Sequence, residues 1–167
     1  MQPAIEVMVV LRHLSAAYHP TWRNYFEVAF FTGLRPSELI AIRWPAVDFR
    51  RETLKVAAAR VRATDKDTKT HAIRYVDLQG PARAALQRQR DLAESKTGLV
   101  FLNPKTNRNF ADTAAPLDVW YDALKAAGVR KHGARQTRHT YATPACMPNE
   151  PGVCFAPNRS YKRQNVL

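Results

Sequence analysis

Apolar residues in the first part of the chain recur at helical spacing. Ala4, Val7, Met8, Leu11 and Leu14 fall on one face, with Arg12 and His13 off it. His19-Pro20 breaks this pattern. Trp22, Tyr25, Phe26, Ala29 and Phe30 then follow the i, i+3, i+4, i+7, i+8 rule of a core-facing helix. So regular an aromatic stripe predicts packing rather than a binding surface. Gly33 interrupts, and Pro36 suits the first position of a third helix running to about Trp44. That helix would turn Leu39 and Ile40 inward, with Ile42 a further candidate, and Pro45 and Asp48 mark its exit.

From Thr53 to Leu78 the period shortens to two. Thr53–Val56 reads as a strand, 60–63 as its candidate continuation and 72–78 as a further strand, with the polar stretch 64–70 as a turn. One small antiparallel sheet results, with Lys69 in or beside a hairpin connection. Gly80-Pro81 opens another helix with Ala85, Leu86 and Leu92 inward and arginines outward. Val100-Phe101-Leu102 is a short buried segment ending at Asn103-Pro104, and Leu117, Trp120, Tyr121 and Leu124 mark a helix that Gly128 ends. Across 134–143, helical spacing puts Arg135, Arg138 and His139 on one face and Thr137 and Tyr141 on another. Beyond Thr143, Pro144, Pro148, Pro151 and Pro157 forbid a helix of useful length. The expected architecture is mainly α with a small antiparallel β-sheet (α+β) over 1–143, followed by an irregular tail over 144–167.

Charge adds the first indication of a partner. Among 167 residues, Lys+Arg number 26 and Asp+Glu 14, leaving +12. Such an excess suits a polyanion. Because the basic residues are spread along the chain, nucleic acid is favoured over an acidic membrane surface, which calls for a basic helix or cluster. No apolar run reaches membrane-span length and no signal-peptide pattern opens the chain. A soluble, intracellular protein is expected. Cys146 and Cys154 lack zinc-ligand spacing and read as two free thiols.

Three cationic elements carry candidate chemistry. Arg35, between Gly33 and Pro36, is pushed out of helical geometry by the following proline and should sit at a helix mouth. There it either faces an anion or forms a plain surface pair with Glu38. Lys69 is either a hairpin lysine with a function or simply solvated. Arg135, Arg138 and His139 form the third element. Two guanidiniums can grip the non-bridging oxygens of a phosphodiester, and a lysine or histidine can protonate a leaving alkoxide. No acidic cluster suited to two Mg²⁺ ions is evident, which disfavours a metal nuclease.

In these boxes the chain resembles the tyrosine recombinases, or phage-type integrases. The resemblance rests on Thr32-Gly33-Leu34-Arg35-Pro36-Ser37-Glu38-Leu39 with Ile42-Arg43-Trp44 and Asp48, on Thr68-Lys69-Thr70 before Tyr75-Val76-Asp77-Leu78, on Val100-Phe101, and on Gln136-Thr137-Arg138-His139-Thr140-Tyr141-Ala142-Thr143. It implies site-specific recombination and integration of double-stranded DNA by metal-free strand exchange, without a cofactor, in company with other recombinase protomers. A cytoplasmic, nucleoid-associated location follows from that role. By the same resemblance Arg35 and Arg138 are clamp arginines, Lys69 is the general acid, Glu38 supports Arg35, and His139 packs beside Arg138. Arg135 stands where the family often has histidine, and a guanidinium binds phosphate without shuttling protons near neutrality.

The resemblance also has gaps. The family's Gly-His box and nucleophilic tyrosine should follow Thr143, and neither is present. Tyr161 is the one tyrosine after Tyr141, but it lies 23 residues past Arg138, closer than the family's spacing, and between Ser160 and Lys162-Arg163. It is a weak candidate. The expectation is a catalytic domain truncated before its nucleophile and lacking its C-terminal helices, with a tail of unrelated or out-of-frame sequence. The alternative is a non-catalytic remnant that only clamps DNA phosphates.

Overall fold

The computed structural model describes residues 3–62, 64–67, 73–131, 145–146 and 154–155. Its centre is α2 (Pro20–Thr32), flanked by α1 (Pro3–Ala17), α4 (Gly80–Leu92) and the short α3 (Pro36–Leu39). The expected stripe of α2 is buried, and so are Val28, Phe31 and Thr32 on its other side. Asn24 and Glu27 are buried on it too, their polar groups satisfied by Gln89 and Arg88. The His19-Pro20 pair that interrupts the first pattern starts this helix. His19 is the N-cap, its Nδ1 accepting from the Thr21 N–H at 3.3 Å, and Pro20 takes the first turn, where its missing donor costs nothing.

α5 (Ala114–Ala126) packs on α1 and drives Trp120 against α2, its ring 5.1 Å from Phe26 and 5.7 Å from Phe30. Gly128 follows at φ 67°, closing the helix as expected. On α4 the buried set is Ala82, Ala85, Leu86 and Gln89, while Leu92 is 46% exposed. The expectation that Leu92 points inward is therefore corrected. Gln89 holds the i+3 and i+4 position, and its amide is satisfied there by Asn24 Nδ2 at 3.1 Å and the Val100 carbonyl at 3.2 Å. Next to it Arg88 donates to Glu27 at 2.6 Å and to Asn24 at 3.1 Å, so polar bonds as well as apolar packing join α4 to α2.

Tyr25 lies deep in this core, 5.2 Å from the Phe101 ring, and burial pushes its phenol well above the ordinary range. Its hydroxyl has no hydrogen-bond partner among the described residues. An unpaired buried hydroxyl contributes nothing to offset its desolvation. Tyr25→Phe is therefore expected to leave stability unchanged or raise it by about 1 kcal/mol. A urea midpoint lower than that of the parent would contradict this.

α3 ends at Leu39 rather than near Trp44. Past Ile40 the backbone turns to a different partner. The Trp44 N–H donates to the Gly98 carbonyl at 3.0 Å and the Val100 N–H to the Ile42 carbonyl at 2.9 Å, with Arg43 bridged to Leu99. The buried Val100-Phe101 segment thus claims the backbone groups that a longer helix would have used internally.

The strands also divide differently from the single sheet expected. β1 (Val47–Asp48), β2 (Thr53–Val56) and β5 (Arg74–Asp77) form an antiparallel sheet in the order β1-β2-β5, with Leu54 opposite Val76. β3 (Ala58–Val61) and β4 (Thr64–Asp67) form a separate ribbon with a two-residue connection in which Arg62 takes φ 51°. The polar stretch read as a turn is thus partly a strand. Left-handed turns of this kind usually carry Asn-Gly, and the sequence here gives no such signal. In the tail, read as irregular, Ala145–Cys146 (β6) and Cys154–Phe155 (β7) pair antiparallel, Cys146 opposite Cys154. Each dipeptide falls between the prolines that exclude longer elements. No helix among the described residues is long and apolar enough to cross a membrane.

Candidate phosphate-binding site

The corner between α2 and α3 is set by Gly33. It stands in the left-handed region, φ 62° and ψ 23°, with its N–H on the Ala29 carbonyl at 3.1 Å. Any side chain here would strain the turn. Leu34 is fully buried, and Arg35 follows in extended geometry, φ −70° and ψ 146°, as a residue before proline should. Arg35 is the N-cap of α3, and its side chain is 54% exposed.

Glu38, three residues on, is 1% exposed. Its Oε2 accepts the Arg35 backbone N–H at 2.8 Å, the reach-back bond of a capping box, and its Oε1 accepts Arg35 Nη1 at 3.2 Å. The anion at this helix mouth is therefore the protein's own carboxylate. The two readings of Arg35 merge: it pairs with Glu38, yet more than half of its side chain faces outward.

One residue that sequence reasoning missed completes the corner. Arg74 on β5 grips the same carboxylate with both terminal nitrogens, Nη1 to Oε1 at 2.9 Å and Nη2 to Oε2 at 2.7 Å. A signal for it existed. Arg74 shares a strand face with Val76 and Leu78, both buried, and a charge on the inward face of a strand needs a buried partner. Burial alone would push the Glu38 carboxyl up. The hydrogen bonds and charges of Arg74 and Arg35 outweigh that and hold it below the usual carboxylate range. At Glu27 the balance reverses, and burial raises the carboxyl despite Arg88 and Arg23.

The corner thus carries two guanidiniums on one carboxylate, a net positive unit with one guanidinium presented to solvent. Of the other expected site residues, Lys69, which falls between β4 and β5, and Arg135, Arg138, His139 and Tyr161 lie outside the described residues. The structure brings together Arg35, Glu38 and Arg74. Among the described residues no group of three His, Cys, Asp or Glu is placed to hold a metal ion.

Fold and corner together define an α+β domain with an outward-facing arginine anchored on a buried carboxylate. The chain belongs to the phage integrase family, which it matches over residues 8–145. It is 28% identical over 159 aligned residues to IntQ of Escherichia coli (strain K12), an alignment covering 79% of this chain and 40% of that protein. It is equally identical over 143 residues to a tyrosine recombinase XerC-like protein of Caldanaerobacter subterraneus, covering 71% and 37%. Among solved structures, the Tn1549 transposon integrase in complex with a circular intermediate DNA shares the fold at a TM-score of 0.71 and 17% identity, over 85% of this chain and 51% of that one. The chain spans about two fifths of the length of the curated relatives it matches.

Proposed function

We propose that this chain carries part of the catalytic domain of a metal-free DNA strand-exchange enzyme that acts in site-specific recombination and integration. The observation that carries this reading is the Arg35 guanidinium, outward-facing and fixed on a carboxylate that is 1% exposed. Family membership over residues 8–145 and the net charge of +12 support it. In this reading Arg35 and Arg138 grip the non-bridging oxygens of one backbone phosphate in double-stranded DNA, and Arg135 adds a third cationic contact. Their fixed charge stabilises the extra negative charge of the five-coordinate transition state. A tyrosine hydroxyl gives up its proton to water as its oxygen attacks phosphorus, the bond to the 5′ oxygen breaks, and Lys69 delivers the proton that makes the leaving group a hydroxyl. Glu38 orients Arg35, and His139 packs beside Arg138. The guanidiniums supply the positive charge, so the scheme needs no metal or cofactor.

The catalytic part is assigned to 1–143 and the proline-rich 144–167 to a separate tail, in keeping with a family match that ends at 145. Other recombinase protomers are the natural company for such a domain, and the cytoplasm, with the nucleoid, its place of action. Tyr161 is the weak candidate for nucleophile within these residues. Its spacing from Arg138 favours a second reading, a chain that clamps DNA phosphates without cleaving.

A nicked duplex that traps covalent intermediates tests whether Tyr161 is the nucleophile. The 167-residue chain is expected to bind duplex DNA with affinity that falls steeply as salt rises, and to leave no covalent adduct. An adduct that disappears in Tyr161→Phe would show Tyr161 to be the nucleophile and end the clamp-only reading. Binding indifferent to salt would end the phosphate-clamp reading itself.

A further inference from the structure

The Glu38 carboxylate is shared between two arginines, and the exposed Arg35 guanidinium holds the smaller share. The two oxygens of that carboxylate receive four donors. Arg74 takes one lone pair on each oxygen with a planar fork, at 2.9 and 2.7 Å, and the Arg35 N–H takes another on Oε2 at 2.8 Å. What is left for the Arg35 guanidinium is a single, longer bond from Nη1 to Oε1 at 3.2 Å.

An arginine beside a free carboxylate closes onto it with two parallel bonds, the preferred geometry of the pair. Bound in that way, Arg35 would spend both terminal nitrogens on Glu38. Because Arg74 already occupies the bidentate position, Arg35 is held by one nitrogen and keeps its remaining donors for an outside anion. We propose that Arg74 is a positioning residue for phosphate binding: by filling the bidentate face of Glu38 it keeps the Arg35 guanidinium singly tethered and turned outward.

The side-chain exposures fit this division of labour. Arg74 is 23% exposed and directed into the fold, Glu38 is 1% exposed, and Arg35 is 54% exposed. Arg74 also begins β5, five residues after Lys69, so the carboxylate ties the start of that strand to the mouth of α3. A lysine at position 74 would keep the charge but offer a single nitrogen, releasing one carboxylate oxygen to Arg35.

The inference rests on the reading of Arg35 as a phosphate-binding group, and one experiment tests both separately. Affinity of the 167-residue chain for a fluorescent duplex is measured across a salt series for the parent, R35A, R74K and R35A/R74K. Each phosphate contact contributes about 0.9 to the slope of log K against log salt. R35A is expected to lower the slope by about 0.9 and affinity by about tenfold. R74K, with no change in net charge, is expected to lower the slope by the same amount, and the double variant no further. A parental slope in R74K, or twice the loss in the double variant, would overturn the positioning role while leaving the clamp standing. An unchanged slope in R35A would remove Arg35 from the phosphate and with it the proposed function. Should R74K melt below the assay temperature, E38Q/R74Q removes the buried charge together with its partner. With no carboxylate left to capture Arg35, its expected slope is the parental one, and the slope of R35A there would show that Arg74 does not act by competing for Glu38.

Discussion

Trp120→Ala is expected to lower the unfolding free energy by about 3–5 kcal/mol, the range for removing a large aromatic from a closed core. Trp120 is 1% exposed, and its ring lies against Phe26 and Phe30 on α2. Truncation leaves a cavity between two helices that α1 also braces, so the walls have little freedom to collapse. Against the roughly 5–15 kcal/mol that stabilises an ordinary domain, this is a large fraction. In a chain of this size it corresponds to a drop in Tm on the order of 10 °C. Calorimetry or urea unfolding measures it directly. A loss below about 1 kcal/mol would mean that α5 does not seat its tryptophan on α2 as described. The effect also bears on the candidate site. α2 ends at Gly33, and the left-handed turn there aims Arg35, so loosening α2 loosens the corner.

Much of this core is legible in the sequence because its information is local. The stripe Trp22, Tyr25, Phe26, Ala29 and Phe30 has one period, and burial follows it. The turn Gly33-Leu34-Arg35-Pro36 has one backbone solution, which left-handed glycine and pre-proline geometry impose before any tertiary contact forms. The misreadings share an opposite cause. α3 stops at Leu39 because a segment nearly sixty residues away pairs with 42–44. Leu92 stays exposed while Gln89 goes inward because Asn24 and the Val100 carbonyl, contributed from elsewhere, satisfy its amide. The ribbon β3–β4 lacks turn chemistry at Arg62, so nothing local in the sequence marks it.

The candidate site divides along the same line. Arg35 and Glu38 are three residues apart and could be read as a local pair. Arg74 is 36 residues from Glu38, and only the fold brings β5 to the mouth of α3. Its one advance sign was a charge on an apolar strand face. That sign is weak by itself, because an inward arginine identifies neither its partner nor the sign of the site it supports. The third box, Arg135, Arg138 and His139, is legible in its motif, since all three residues fall within five positions of one another.

Glu38→Gln is expected to be the most damaging single change at the corner, at about 2 kcal/mol near neutral pH. Removing one partner of a buried ion pair costs roughly 3–5 kcal/mol when the other is left dry. Here the loss is smaller because Arg74 and Arg35 are 23% and 54% exposed and water reaches both. The amide would present an NH₂ to one arm of the Arg74 fork, turning an attraction into a clash of donors. The effect carries a pH signature. The folded Glu38 carboxyl lies below its ordinary value of 4.5, so its stabilisation is complete above that value and is lost as pH falls through the depressed folded one. The gap between parent and Glu38→Gln should therefore be widest at neutral pH and close in acid. Glu27 supplies the opposite sign as a control. Its carboxyl is raised by burial, so its contribution to stability declines as pH rises from 4.5 through the raised folded value. Urea midpoints of the parent, Glu38→Gln and Glu27→Gln between neutral and acid pH measure both trends. A gap for Glu38→Gln that stays constant into acid would show that the charge on Glu38 is not what holds the corner together.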